Sequence, residues 1–147
     1  MPLHLPMRAW TRRRDWGETQ SEREDGCDFY EVEFTKPRYF SYEYDIDAAT
    51  GRVLDYKCDW DDDRGAPDGV TQEFVLTEAE SLALALAHAG VDETIVTVRE
   101  TRTYVEKGVS LYEFEFYSAK AEYEYLVSGS SGILLEYECD WYSYRDM

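Results

Sequence analysis

Two nearly identical pentapeptides, YKCDW at 56–60 and YECDW at 137–141, constrain the fold more than any other feature of this chain. Further segments recur in the same order around them. These are YEVEF at 30–34 with YEFEF at 112–116, YEY at 42–44 with YEY at 123–125, and Gly51 with Gly132. Since their order and spacing are kept almost unchanged, the chain is predicted to contain one structural unit twice, with the pentapeptides as its closing strands.

The second half shows the predicted unit most completely. Thr77 stands three residues before Glu80 at the head of an alanine- and leucine-rich run, which is the pattern of a capping box. This run predicts a helix over about 78–89, ended by Gly90. Segments with a two-residue period follow and predict antiparallel strands, namely TIVTVRETRTYVEK, VSLYEFEFY, AEYEYLV and ILLEYECDW. The predicted fold class is therefore α+β, with one main helix packed on the sheet of the second unit.

The first half repeats the strands of this unit without its helix. MRAWTRRRDW at 7–16 is the candidate for its first strand, and nothing upstream of that segment has a helical pattern. We therefore predict three parts: a truncated repeat made of sheet alone at 1–60, an acidic linker at 61–73, and a complete repeat at 74–147.

The closing strands predict a shared face. Alternation places Tyr56, Cys58 and Trp60 on one face, and Tyr137, Cys139 and Trp141 likewise in the second copy. Leu54 and Leu135 are expected to join these faces as helix-facing rows of core residues. A disulfide between Cys58 and Cys139 is the alternative, and it would need alpha carbons within about 7 Å of each other. Three cysteines cannot all pair within one chain, which argues against a disulfide-stapled secreted scaffold.

Taken together, these segments resemble the PepSY family. The resemblance rests on LTEAESLALALAHAG, on LYEFEFYSAKAEYEYLVSGSSGILLEY, and on YEVEF followed by YEYDIDAATGRVLDY in the first copy. It covers residues 74–141 fully and 7–60 partly. The second copy departs from the pattern at its closing turn, where SGSSG replaces the DAATG of the first copy.

The resemblance implies an accessory module of the kind found beside the propeptides of secreted metallopeptidases and in cell-envelope proteins. It brings no catalytic motif, so it implies a non-enzymatic protein-binding or regulatory module, namely a peptidase inhibitor or modulator. The alternative is a structural self-association module of the cell envelope or cytoplasm with no peptidase target. The family implies a location outside the cytoplasm. The chain as written lacks a signal-peptide pattern and indicates the cytoplasm, and a start further upstream would reconcile the two.

The charge of the chain restricts its partners. Lys and Arg number 15 against 32 Asp and Glu, which gives a formal net charge of −17. Such a charge repels nucleic acid and anionic membrane surfaces. No segment approaches the roughly 18 apolar residues of a membrane span. We therefore expect no nucleic-acid partner and no membrane span, and a basic protein fits the charge better.

The sequence predicts no catalytic residues, no cofactor and no metal site. His4 and His88 stand in no metal-ligand spacing, and His88 near a helix C-terminus is interpreted as complementing the helix dipole. Asp59 and the run at 61–63 have the alternate spacing of an EF-hand loop but lack its glycine and its closing glutamate. Cys27 lies beside a carboxylate, which does not stabilise a reactive thiolate.

The missing helix predicts an interaction surface. Tyr30, Phe34, Tyr56 and Trp60 lie on the face of the first sheet that a helix would cover, and soluble monomers rarely expose so large an apolar area. We predict that the second repeat, a partner protein such as a peptidase, or a second copy of the chain covers this face. The last case is a homodimer through the helix-less first repeat.

Overall fold

One antiparallel sheet of eight strands organises the computed structural model, which describes residues 16–36 and 38–146. The strands are β1 Trp16–Glu24, β2 Cys27–Lys36, β3 Phe40–Asp47, β4 Val53–Trp60, β5 Thr97–Glu106, β6 Val109–Tyr117, β7 Ala121–Ser128 and β8 Leu134–Trp141. Their spatial order is β1-β2-β3-β4-β8-β7-β6-β5. Each half of the chain thus forms a four-stranded meander, and the meanders join where β4 pairs with β8.

The helix α1, Glu78–Ala89, lies on one side of the second meander and begins at the predicted capping box. Thr77 Oγ1 accepts from the Glu80 N–H at 3.1 Å, and the Glu80 carboxylate accepts from the Thr77 N–H at 2.9 Å. The helix ends at Gly90, whose φ of 74° favours glycine. The predicted helix and the α+β class are confirmed. Across residues 16–36 and 38–146, no helix combines the length and apolar character needed to cross a membrane.

The two repeated pentapeptides lie side by side at the junction of the meanders. Tyr56 stands opposite Cys139, and Cys58 stands opposite Tyr137. Opposed residues of an antiparallel pair share a face, so these four side chains lie on the same side of the sheet as α1. The repeated sequence therefore supplies both strands of the central pairing. The division into repeats at 1–60 and 74–147 stays a prediction.

Two β-bulges place leucines on a different face from the predicted one. The register shifts once within β3·β4 and once within β7·β8. An extra residue in one strand interrupts the alternation of side chains. Leu54 accordingly packs with Phe29 and Tyr144, and Leu135 packs with Leu111, instead of with the tyrosines of their own strands. The expectation that both leucines join the rows of core residues on the helix side was wrong. It assumed that side chains alternate without interruption along each strand, whereas a bulge interrupts the alternation at each leucine.

The described first strand lies mostly beyond the segment predicted for it. β1 runs over Trp16–Glu24 and shares Trp16 with MRAWTRRRDW. Residues 17–24 were not predicted as strand because WGETQSERE lacks the apolar alternation on which the prediction relied. The rest of MRAWTRRRDW lies outside the described residues. So does the stretch in which the first repeat was predicted to lack its helix.

The segment at 61–73, predicted as an acidic linker, is hydrogen-bonded to the second meander. The Thr71 N–H donates to Ser130 Oγ at 2.9 Å, and Ser110 Oγ donates to the Glu73 carbonyl at 2.7 Å. Ser110 itself is fully buried. The segment therefore covers one end of the sheet, and its polar composition does not mean that it is free of contacts.

Candidate functional site

The helix side of the sheet carries aromatic side chains at directly opposed positions, and we call it the aromatic face. One row on it consists of Phe34, Tyr42, Cys58, Tyr137, Tyr125 and Phe114. The rings of Phe34 and Tyr42 stack with centroids 5.0 Å apart, and those of Tyr125 and Tyr137 stack at 5.7 Å. Over β6 and β7 this face forms the core beneath α1.

The opposite side of the sheet carries a row of charged residues that crosses all eight strands. Each member stands directly opposite the next one in the neighbouring strand. From β1 to β5 in spatial order, the members are Glu18, Glu33, Glu43, Lys57, Glu138, Glu124, Glu115 and Glu100. We call this the glutamate row. At an inter-strand spacing of about 4.8 Å it is about 33 Å long.

The carboxylates of the glutamate row oppose one another's ionisation. Burial raises the pKa of Glu138 to about 7, and the charge of neighbouring carboxylates contributes less to this increase. Burial and then the charge of Glu43 raise the pKa of Glu33, and a hydrogen bond with Glu100 raises the pKa of Glu115. Like charges directly opposite each other destabilise a sheet. Folding alone therefore does not favour this row.

A groove of about 200 Å³ opens on the same face beside Lys57. Trp60, Tyr104 and Leu126 line part of it. The carboxylates that line it are Asp59, Asp62, Glu106, Glu113, Glu124, Glu136 and Glu138. Aromatic and aliphatic walls among carboxylates suit the long stem and charged head of a lysine or arginine side chain.

A C-terminal tyrosine closes the glutamate side of the first meander. The Tyr144 hydroxyl lies 2.7 Å from the Asp45 carboxylate and 2.9 Å from that of Asp55. Burial raises the pKa of Asp45 to about 6 and also raises the pKa of Asp55. The Tyr144 N–H donates to Asp25 in the β1–β2 turn at 3.0 Å. These bonds hold the end of the chain against β1 to β4.

His88 lies over the junction of the meanders. Its Nδ1 is 2.8 Å from the Tyr125 hydroxyl, which is 2.9 Å from the Tyr56 hydroxyl. Its ring centroid lies 4.4 Å from that of Tyr137. Burial lowers the pKa of His88. His88 lies in the last turn of α1 with its ring packed on tyrosines, and its interpretation as complementing the helix dipole stays a prediction.

The cysteines of the pentapeptides are buried and free. Cys58 and Cys139 stand diagonally across β4·β8, since each faces a tyrosine of the other strand. Burial raises the pKa of each thiol to about 12. A thiol with so high a pKa is a poor nucleophile at neutral pH. The two cysteines act as core residues, and the disulfide considered from the sequence is not formed.

Two of the four residues predicted as a partner-binding face pack in different core clusters. Tyr56 is half-buried and packs with the core cluster beneath α1, whereas Trp60 packs with the cluster of Leu111 and donates from Nε1 to the Gly65 carbonyl at 3.0 Å. The other two, Tyr30 and Phe34, are half-buried on β2, and ring contacts through Tyr44 connect Phe34 to Tyr56. The role of this face in partner binding stays a prediction.

The acidic run at 61–63 brings its carboxylates within 4.8 Å of one another. Lys107 Nζ lies 3.2 Å from Asp62 and 3.3 Å from Asp63, and Arg64 lies 3.1 Å from Asp61. These two cations offset much of the charge of the run.

Sequence reasoning missed the glutamate row. Its signal is the alternation in YEVEF, YEFEF and EYEY, where each strand turns aromatic residues to one side and glutamates to the other. Alternation within a strand is visible in the sequence. The alignment of one charged residue from each strand depends on seven pairing registers, and none of these can be read from a single segment.

Comparison with known proteins supports the resemblance noted in the sequence. Residues 14–57 match the family model described as "Peptidase propeptide and YPEB domain", or PepSY. No curated protein matches the chain.

A solved structure described as "a putative lipoprotein" from Clostridium difficile 630 is 20% identical to this chain. The match covers 93% of this chain and 90% of that one, with a TM-score of 0.38. At that score the likeness supports no inference about fold or function.

We expected the fuller PepSY resemblance at 74–141, whereas the matched residues lie in the first half of the chain. They include β1 to β3 and most of β4. The resemblance to the PepSY family is therefore confirmed at residues 14–57.

Proposed function

We propose that this chain is a non-enzymatic protein-binding module that modulates a peptidase, and that its glutamate row contacts a basic surface of that partner. The glutamate row carries the proposal. It places seven glutamates and Lys57 in one line across the sheet, on the side opposite α1. The PepSY match supports the peptidase as the class of partner.

The energetic argument starts from the directly opposed pairs of like charge. Glu33 faces Glu43, and Glu124 faces both Glu138 and Glu115. Such pairs disfavour the folded chain on its own, and a cationic partner would relieve them on binding. A surface that lowers stability when free and gains on association has the character of a functional site.

The arrangement also suggests how the partner would be recognised. A row about 33 Å long, with a groove containing Trp60 and Tyr104 beside it, matches an extended strip of lysine and arginine side chains. Charges arranged in this way increase the association rate and select against acidic partners. The modulating effect then follows from steric cover of the peptidase surface that the row occupies.

Affinity capture from the source organism tests the proposal. The tagged wild-type chain is compared with a row variant carrying Glu33→Gln, Glu43→Gln and Glu124→Gln, in lysate and in medium separately. Bound proteins are identified by mass spectrometry, and any recovered peptidase is assayed with and without the chain. We expect a peptidase that the wild type retains and inhibits and that the row variant loses.

Two other results would overturn the proposal. Recovery of the chain alone would favour the self-association module. Loss of the peptidase only on changing Tyr30 and Phe34 to alanine would move the contact to the aromatic face.

A further inference from the structure

The outer edge of β5 is an exposed strand at one end of the sheet. Nine of its ten residues are exposed, and no described strand pairs with its outer side. An edge strand presents unpaired N–H and C=O groups that can accept another strand. Val98 and Val105 are 40% and 51% exposed on it, so apolar surface lies beside these groups.

Charge distinguishes this edge from the other one. β5 carries Arg99 and Arg102 against Glu100 and Glu106, so the strand is neutral overall. At the opposite end of the sheet, β1 reads WGETQSERE, with more glutamates than arginines, and two copies of it would repel. A second copy of this acidic chain therefore meets least repulsion along β5.

The faces of β5 restrict how two copies could pair. Thr101 and Thr103 stand opposite Phe114 and Tyr112, so they point to the aromatic face, whereas Glu100, Arg102 and Tyr104 point to the glutamate side. A two-fold axis perpendicular to the sheet keeps these sides matched in both copies. Residues opposed across the axis must therefore point to the same side of the sheet. In every antiparallel register that meets this condition, one residue lies on the axis and stands opposite the same residue of the other copy.

Charge leaves two of these registers. With Glu100 or Arg102 on the axis, each faces its own copy and like charges meet. With Thr103 on the axis, Glu100 faces Glu106 twice. With Tyr104 on the axis, Arg102 of each copy faces Glu106 of the other, and Glu100 gains no facing cation. With Thr101 on the axis, Glu100 of each copy faces Arg102 of the other, and no like charges are opposed.

The Thr101 register also relieves a repulsive contact within the chain. Glu100 ends the glutamate row and stands opposite Glu115. The Arg102 side chain contacts Glu113 at 3.4 Å while 56% exposed, so it remains accessible to a second carboxylate. In this register Arg102 of the other copy faces Glu100.

We propose that the chain forms a symmetric dimer by antiparallel pairing of β5 with β5 of a second copy, with Thr101 on the two-fold axis and two Glu100–Arg102 pairs across it. Charged residues at an edge normally prevent strand addition. Here they are self-complementary, and they select a single partner and register. The dimer contacts the glutamate row only at its end, Glu100, and leaves the rest of the row accessible.

Charge exchange tests the pairing. Sedimentation equilibrium in about 0.15 M salt, where the Debye length is about 8 Å, gives the mass of each form. Wild type should show twice the monomer mass, and Glu100→Arg alone or Arg102→Glu alone should be monomeric. The double exchange should restore the dimer, and a mixture of the two single variants should form a heterodimer. Glu22→Arg and Arg23→Glu on β1 make the same changes of net charge and should leave the dimer intact.

A cysteine scan tests the register. In a Cys27→Ser background, Thr101→Cys should form an interchain disulfide on oxidation, because the two side chains face each other across the axis, and Thr103→Cys should not. A monomeric wild type would overturn the proposal. So would a double exchange that stays as monomeric as the single variants, or a dimer that is lost only on changing Tyr30 and Phe34. Circular dichroism spectra matching wild type show that each variant is folded.

Discussion

Lys57 stands directly opposite Glu138 where β4 pairs with β8, and on its other side it stands opposite Glu43. It also lies 3.8 Å from Asp59. Lys57 is thus the one cation of the glutamate row, and it sits at the junction of the two meanders. The charge that opposes the repulsion of the row is located where the two halves of the sheet meet.

Replacing Lys57 by glutamine should destabilise the protein, with a larger effect at pH 8 than at pH 5. Burial raises the pKa of Glu138 to about 7, so at pH 8 its carboxylate is charged and would lose its facing cation. We expect a loss of about 0.2–1 kcal/mol at pH 8, in the range of cross-strand charge pairs. Urea unfolding at both pH values measures it. Lys120→Gln, in the β6–β7 turn, makes the same charge change outside the row, and an equal effect there would contradict the assignment.

Replacing Glu138 by glutamine should flatten the pH dependence of stability. The folded-state pKa of Glu138 is raised to about 7, so the folded chain holds this proton more tightly than the unfolded chain. Stability should therefore fall as pH rises from about 4.3, the ordinary pKa of a glutamate, to about 7. The variant lacks this titration, and its melting temperature should fall less over the same range. Identical slopes for wild type and variant would show that Glu138 titrates normally, and Glu93→Gln in an exposed loop serves as the control.

Removing the Tyr144 hydroxyl should destabilise the first meander. This hydroxyl lies within hydrogen-bonding distance of both Asp45 and Asp55, and Tyr144→Phe would leave these half-buried carboxylates without it. The cost expected for a lost hydrogen bond to a charged group is about 1.5–3 kcal/mol, measured by denaturant unfolding at pH 8. The exposed Tyr142 provides the control substitution Tyr142→Phe, which should change stability by less than about 0.5 kcal/mol.

His88 should add an opposite pH dependence. Its pKa is lowered by burial, so the folded chain binds this proton less tightly than the unfolded chain, and stability should fall as pH drops below about 6.5. His88→Gln keeps a group able to bond the Tyr125 hydroxyl but removes the titration. The stability difference between wild type and variant should therefore shrink from pH 8 to pH 5. A constant difference would indicate packing alone, and carboxylate titrations, common to both proteins, cancel in the comparison.

How much the sequence could predict depended on the range of the interactions. The helix at Glu78–Ala89 is specified by neighbouring residues, because Thr77, Glu80 and Gly90 define both ends. Strand alternation is equally local. The two bulges are not, since a single extra residue moved Leu54 and Leu135 away from their predicted face without any visible sign in the sequence.

The candidate site was predicted less well for a related reason. The aromatic face could be predicted in part, since repeated YE motifs mark it. The glutamate row requires the β4·β8 pairing, which joins residues from the two halves of the chain. His88 was assigned to a local helix dipole, whereas its contacts come from strands of both meanders. In each case the sequence shows which residues alternate, and the pairing of distant strands decides which of them meet.

The central claim is that the glutamate row contacts a basic partner, and its most direct test is the affinity of the captured peptidase for three forms of the chain. Isothermal titration at low and at physiological salt compares wild type, the row variant Glu33→Gln, Glu43→Gln, Glu124→Gln, and a control with Glu22→Gln, Glu73→Gln and Glu93→Gln. Both variants have the same net charge. We predict at least a tenfold loss of affinity for the row variant, about 1.4 kcal/mol, and little change for the control. Equal affinity of the two variants would contradict the claim, because it would assign binding to net charge or to another surface.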